Sequence, residues 1–402
     1  MTPDGIPPHS ERRIILLVEP TSAYGRGCLR GIARYARGHG HWTFHHRTRY
    51  LMEPPNLKEL QAWKADGVIA RIENKQIAKT IAQLGLPTVD IRASMDVPGV
   101  ARVLTDDVKV VELALDHLRG NGLRHVAYCG FPGVDFSESR QSAFEKLNQN
   151  TPAGQSHVYR NAAMTKATYP VEVVSYEQRG ALDSKALGAW LRQLPKPVGI
   201  LACNDQRGRQ LLESCLLEDL KVPYDVAVVG VDDDDVVCEL SNPRLTSVAP
   251  NVELVGFEAA RLLDRQMAGE PLTNQLLLIP PIAVEMRGSS DVTAIDDPTL
   301  VKAIRFIRSK IGEGINVKDV LTYVDVSRST FERQFREHLG CTPYEYVVRF
   351  RIDRVKQLLV DTNYPLSQVT RMAGFRGVAH MTAVFRVRTG QTPGQYRRSM
   401  IR

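Results

Sequence analysis

The chain has 402 residues, 43% of them hydrophobic and 24% charged, with a formal net charge of +7. That length gives two or three domains with sizeable cores; no apolar run approaches the ~18–20 residues of a membrane span, and the opening MTPDGIPPHSERR lacks the apolar segment of a secretory signal. The charge is uneven: residues 300–402 hold 19 Lys and Arg against 8 Asp and Glu, a net of +11, and the remainder hold 33 against 37, a net of −4, so the carboxyl-terminal part alone is set to meet a polyanion.

From residue 12, apolar strands alternate with helical stretches: RIILLVE (13–19), DGVIARI (66–72), LPTVDI (86–91), HVAYCG (125–130), PVGILACN (197–204) and VAVVGVD (226–232). Continuous apolar strands separated by amphipathic helices predict parallel sheets covered on both faces. So many strands over about 280 residues predict two lobes rather than one sheet. Ligands of such sheets bind beyond the carboxyl ends of the strands. Thr21, Ser22, Tyr24, Asp135, Phe136, Arg140, Asn204, Asp205 and Asp232 stand there.

Several enzyme signatures fail on spacing. Gly25, Gly27 and Gly31 give G-x-G-x-x-x-G, one residue longer than a dinucleotide fingerprint, and no acidic partner follows at the usual distance. The four carboxylates Asp232, Asp233, Asp234 and Asp235 point in different directions, as in a solvated loop. HGHWTFHH (39–46) reads as a surface edge strand rather than a metal site. Cys28, Cys129, Cys203, Cys215, Cys238 and Cys341 are scattered without C-x-x-C or zinc spacing, which reads as small buried thiols in a reducing cytosol. G-x-S-x-G, H-E-x-x-H and the P-loop are missing, and neither cofactor nor metal is expected.

Residues 288–300 read as a polar linker to a tail over 301–402. There Val317, Val320, Leu321 and Val324 fall at i, i+3, i+4 and i+7, the stripe of an amphipathic helix. After the break DVSR, Ser327 caps a second helix whose inward face carries Phe331, Phe335 and Leu339. Helix, tight turn, helix is the helix-turn-helix pattern. The unit is then repeated. Phe335/Phe385, Arg336/Arg386, Gly340/Gly390, Thr342/Thr392, Pro343/Pro393 and Tyr346/Tyr396 match at an offset of 50. Leu366, Val369 and Ala373 match the first copy at an offset of 49, and Asp325 and Gly374 take the turn position, where both types tolerate a left-handed backbone.

Between the copies, PYEYVVRFRIDRVKQLLVD reads as one helix. Val348, Ile352, Val355 and Leu359 form its buried stripe, and Arg349, Arg351, Arg354 and Lys356 decorate the remainder. About 19 residues at ~1.5 Å each give roughly 28 Å. With the width of a helix added, the motifs stand near one duplex turn apart, ~34 Å. One polypeptide can thus place two reading helices in successive major grooves of double-stranded DNA.

The tail resembles the DNA-binding domain of the AraC/XylS family of transcription activators, through MAGFRGVAHMTAVFRVRTGQTPGQYRR (372–398). Motif position then assigns base reading to Arg328, Ser329, Glu332 and Arg333 in the first copy, and to Arg376, Val378, Ala379, His380 and Ala383 in the second. Arginine suits guanine O6 and N7, and glutamate accepts from cytosine N4; each arginine also has the alternative of a phosphate contact. Ala383 departs from the family, where a polar or basic reader is common, so the first copy is expected to discriminate more.

The body resembles the sugar-sensing domain of LacI/GalR-type regulators, itself similar to periplasmic sugar-binding proteins, through SRQSAFEKL (139–147), ILACNDQRGRQLLE (200–213) and VAVVGVDDDD with NPRLTSVAPN (226–251). The resemblance implies an α/β two-lobed periplasmic-binding-protein-like sensor domain over 12–287, joined to an all-α domain with two helix-turn-helix motifs. It assigns effector contacts to Arg140, Asn204 and Asp232. A carboxylate accepts from vicinal hydroxyls, arginine donates through its fork, and the ring of Tyr24 or Phe136 covers the sugar's C–H side. Helix capping by Asn204 or Asp232 is the structural alternative.

End to end, the chain is similar to the family of bacterial xylose-operon regulators, through DGVIARIENKQIA (66–78), LTDD (104–107) and DPTLVKAIRFIRSKIGEGINV (297–317). This implies a cytoplasmic, homodimeric, sugar-responsive activator with D-xylose as effector and RNA polymerase as a further partner. The loops TSAYGRG and VDFSESR and the CND triplet depart from that family, which leaves another pentose open. Two other classes stand beside this reading: an enzyme acting on a small polar metabolite, and a constitutive DNA-binding protein whose body dimerises.

Overall fold

The computed structural model describes residues 11–46, 55–92, 94–95, 97–149, 152, 155–160, 176–271, 275–291, 297–339 and 341–401. Two compact units emerge, Met1–Asp107 with Asn251–Pro281, and Val108–Pro250 with Ile282–Arg402, so the chain passes between them three times.

The first unit runs β1 (Arg12–Leu17), α1 (Ala23–Gly38), β2 (Trp42–His46), α2 (Leu57–Ala62), β3 (Gly67–Ala70), α3 (Lys75–Leu84), β4 (Thr88–Asp90) and β5 (Ala101–Thr105). The second takes α4 (Asp107–Gly120), β6 (His125–Cys129), α5 (Asp135–Leu147), β7 (Ser156–Val158), α6 (Tyr176–Gln193), β8 (Val198–Ala202), α7 (Asp205–Leu217), β9 (Val226–Val231), α8 (Asp235–Leu240) and β10 (Thr246–Ala249). The chain then returns with α9 (Val252–Met267) and β11 (Leu276–Ile279) to the first unit, and with β12 (Ala283–Glu285) to the second. Among the described residues the sheet orders are β11-β5-β4-β3-β1-β2 and β12-β10-β9-β8-β6-β7. Every pairing is parallel except β10 with β12.

Coverage on both faces explains the unbroken apolar strands. Along β1, Ile14 and Leu16 join the cluster that includes Ile32 of α1 and Leu263 of α9, while Ile15 and Leu17 join Leu60, Ile77 and Ile81 on the opposite face. Of the glycines that mimic a nucleotide fingerprint, Gly27 and Gly31 serve close packing of α1 on α9, and Gly25 packs on the Glu19 backbone. A Cβ on Gly31 would lie 2.0 Å from the Glu253 carbonyl oxygen, and one on Gly256 2.0 Å from that of Cys28. β2 is an edge strand of its sheet. In the second unit, β6, β8 and β9 bury Tyr128, Leu201 and Val229 against α4 and α5, and Ala127, Ile200 and Val228 against α6 and α7. Five cysteines are buried and Cys341 is partly so.

The tail comprises α10 (Pro298–Lys310), a 3-10 turn (Ile311–Glu313), α11 (Val317–Val324), α12 (Arg328–Leu339), α13 (Pro343–Asp361), α14 (Leu366–Met372), α15 (Val378–Thr389) and α16 (Pro393–Ile401). The stretch expected as a linker over 288–300 is anchored at both of its ends. Ser289 and Ser290 are fully buried in a turn beside the second sheet, the Ser289 hydroxyl donating to Val228 O and accepting from Thr246 N–H. Asp297 already caps α10, whose Leu300 packs in the tail core. Residues 292–296 of that stretch lie outside the described residues. Serines look like linker in a sequence, but here the Ser289 hydroxyl satisfies strand backbone and the Ser290 hydroxyl meets the Thr246 and His117 side chains. Among the described residues, no helix is long and apolar enough to cross a membrane.

Candidate effector site and nucleic-acid interface

Beyond the carboxyl ends of the first sheet a buried polar cluster forms around Glu19. Ser22 caps α1 by accepting from Gly25 N–H at 3.0 Å, and its hydroxyl donates to Glu19 Oε1 at 2.7 Å. Arg71 donates to the same Glu19 oxygen, and its Nε stands 3.7 Å from Glu73. The Arg71 guanidinium faces the Tyr24 ring at 5.4 Å, and the Tyr24 hydroxyl is 3.3 Å from that of Thr105. Burial disfavours the Arg71 charge, but Glu19 and Glu73 outweigh it and hold its pKa above the ordinary value. Thr21 is exposed at the entrance to α1. Glu19 and Arg71 were not among the sequence candidates. Each is a charge placed directly after an apolar strand, the same signal that marked Asp232.

In the second unit, Arg140 of α5 is 3% exposed and donates to the Cys203 carbonyl, with its guanidinium 5.2 Å from the Phe136 ring. Asp135 opens the same helix, half-buried. Asn204 caps α7, its side-chain oxygen accepting from Arg207 N–H at 3.0 Å, so one capping alternative is realised. Asp232 does not cap; Asp234 does, for α8.

Asp205 is turned inward. Its two oxygens accept from the Ser247 hydroxyl at 2.6 Å and from Asp234 N–H at 2.8 Å. Burial, and then the charge of Asp232, raise its pKa well above the usual carboxylate range. The aspartate run is therefore not a plain solvated loop. Asp233 takes an ion pair from Arg287 at 2.9 Å, and Asp232 and Asp233 hold φ of 113° and 49°. Non-glycine residues in such backbone are uncommon and concentrate at ligand sites, where the surroundings fix them. Ser247 is the anchor here, since its hydroxyl also accepts from Asp233 N–H at 3.0 Å. Among the described residues no group of three or more His, Cys, Asp or Glu is placed to hold a metal ion.

The tail shows its duplication in geometry. Phe335 meets Tyr346 edge-on at 5.7 Å, and Phe385 meets Tyr396 edge-on at 5.4 Å. Thr342 and Glu345 form a capping box on α13, and Thr392 with Gln395 repeats it before α16. Asp325 and Gly374 both adopt left-handed backbone, at φ 57° and 75°. Ser327 caps α12, accepting from Thr330 N–H at 3.2 Å.

The reading candidates lie at the amino-terminal ends of α12 and α15. Arg328, Ser329 and Arg333 are exposed and Glu332 half-exposed; Arg376, Val378, Ala379, His380 and Ala383 are all exposed. Arg328 pairs with Glu332 at 2.8 Å and Arg333 with Glu337 at 3.2 Å, so both arginines are held along the helix. The basic decoration expected on α13 is engaged within the protein. Arg351 donates to Ile315 O at 2.6 Å and faces the Phe375 ring, thereby tying the two copies together. Lys356 pairs with Asp353, and Arg354 donates to Gln357.

Three family models match in succession: XylR N-terminal domain over residues 13–108, periplasmic binding protein-like domain over 115–290, and helix-turn-helix domain over 320–399. The chain is 29% identical to the Xylose operon regulatory protein of Escherichia coli (strain K12) over 96% of each chain. It is 27% identical to the protein of the same name from Haemophilus influenzae, over 96% of this chain and 98% of that one. A solved structure described as that of the xylose-binding transcription activator xylR superposes with a TM-score of 0.61 at 29% identity, covering 98% of this chain and 99% of that one.

Proposed function

We infer that this chain is a sugar-responsive transcription regulator of the xylose-operon type, not an enzyme, with a periplasmic-binding-protein-like sensor and a tandem helix-turn-helix DNA-binding domain. The carrying observation is the pairing itself: a periplasmic binding protein-like domain and a helix-turn-helix domain match in this one chain, and proteins named Xylose operon regulatory protein align with it over 96% of its length. We propose D-xylose as the effector, promoter DNA as the target, activation through RNA polymerase as the output, a homodimer as the working form, and the cytoplasm as the place.

The proposed division is a sensor over 12–287 and a DNA-binding domain over 301–402. On the second lobe, Asp232 accepts from two vicinal sugar hydroxyls, Arg140 donates to an oxygen, and the Asn204 amide group donates while its carbonyl caps α7. Phe136 offers a face to the sugar's C–H groups. Asp205, with both oxygens committed internally, shapes the Asp232 loop rather than touching sugar. On the first lobe, Thr21, Ser22 and Tyr24 supply hydroxyls and a ring, backed by Glu19 and Arg71. In the tail, Arg328, Ser329, Glu332 and Arg333 read bases, with Arg376, Val378, Ala379, His380 and Ala383 on the second site. Ala383 reaches no further than a thymine methyl.

Regulation is by population shift: sugar favours one of two states, and that state binds DNA more tightly. Calorimetry with a panel of pentoses and hexoses tests the effector assignment. D-Xylose is expected to bind at one site per chain; heat from no sugar in the panel would contradict it.

A further inference from the structure

Arg349 sits on α13, the helix that joins the two reading motifs, yet its contacts lead into the sensor. Its guanidinium lies 5.3 Å from the Tyr346 ring and 5.7 Å from that of Phe350. From this platform Nη1 stands 3.5 Å from the Asp116 carbonyl oxygen. Nη2 presses on Gly120 so closely that a Cβ there would lie 1.6 Å away. Asp116 and Gly120 are at the carboxyl end of α4, where the helix dipole places partial negative charge and favours a cation. Gly120 is the residue type that lets a guanidinium approach this helix end.

A second strut lies beside the first. Arg124, just after α4, donates to the Glu337 carbonyl oxygen at 2.6 Å. Glu337 is near the carboxyl end of α12 and pairs with Arg333, while Arg328 and Ser329 at the other end of α12 are exposed. The sensor thus holds the first motif at the end away from Arg328 and Ser329, which leaves these two open to DNA while the contact is made. The opposite end of α4 is Asp107, where the chain passes from the first compact unit into the second. A helix of 14 residues spans about 21 Å and moves as one piece.

We propose that α4 transmits effector binding to the DNA-binding tail, with Arg349 as the positioning residue that fastens α13 to its carboxyl end. This rests on the function proposed above. The test uses the full chain, D-xylose, and a duplex selected from a random-sequence pool by the full chain in saturating D-xylose. The readout is the ratio of DNA Kd values without and with sugar, about 5–150-fold for a typical coupled pair of sites. Arg349→Ala brings that ratio close to one. Gly120→Ala, which displaces the same guanidinium from the α4 side, does the same. In both, sugar affinity measured without DNA stays at the wild-type value, and saturating duplex no longer tightens sugar binding. Arg349→Lys restores part of the ratio, because an ammonium still meets the α4 carbonyls. Wild-type ratios in both Arg349→Ala and Gly120→Ala overturn the proposal. A wild-type protein whose own ratio is one overturns the functional reading instead.

Discussion

At the residue scale the proposed sugar contact of Asp232 rests on its backbone, a non-glycine residue held at φ 113° beside a buried second aspartate, since such conformations gather at ligand sites. Replacing Asp232 by Asn removes a charged acceptor, so D-xylose affinity measured by calorimetry is expected to fall by about 1.5–3 kcal/mol, with DNA affinity in the absence of sugar unchanged. Asp205 answers to pH. Its folded-state pKa is raised, so above its ordinary value of 3.8 the native state keeps a proton that the unfolded chain releases. The stability this confers is complete below that value and is lost as pH rises through the raised one. Urea melts from pH about 4 upward are expected to show a declining slope that Asp205→Asn flattens; parallel profiles would contradict the assignment. Arg333→Ala is expected to cost about 1–3 kcal/mol on a selected duplex and to relax one base position, and equal losses on selected and random DNA would make it a phosphate contact.

At the scale of elements, what was legible in the sequence is what repeats or alternates locally. The second motif could be read from the first because Phe335/Phe385 and Tyr346/Tyr396 fill equivalent places in the two tail cores. The sheets were legible because strands covered on both faces leave unbroken apolar runs. The remainder depended on partners distant in sequence. Arg71 meets Glu19 across 52 residues, Ser289 meets Val228 across 61, and Arg349 meets Asp116 across 233, and no local pattern announces such pairs. α10 was missed because its apolar face is completed by α11 and α12 rather than by a motif of its own. The glycines after β1 were misleading in kind: Gly31 lies against the α9 backbone, Gly27 against the Val252 side chain and Gly25 against the Glu19 backbone. Gly31→Ala therefore forces the helices apart, and a melting temperature lowered by several degrees is expected, with the loss falling on the sensor rather than on the tail. An unchanged melting curve would show that the two helices have room to yield.

For the whole molecule, charge and architecture divide the labour. The acidic body has no electrostatic reason to approach DNA, and the tail, at +11 over residues 300–402, does. The two motifs are joined by α13 and by Arg351, which bridges Ile315 of the first half and Phe375 of the second, so their spacing is built in before DNA is met. Binding is accordingly expected to weaken steeply and linearly in log–log form as salt rises, and the sensor alone to show no such dependence. The most direct test of the account is the affinity of the full chain for a selected duplex, followed by fluorescence anisotropy at fixed salt while D-xylose is titrated. Affinity is predicted to rise with sugar to a plateau, at concentrations matching the calorimetric Kd. An affinity that stays constant from zero to saturating sugar, or a chain that ignores duplex DNA throughout, would contradict it.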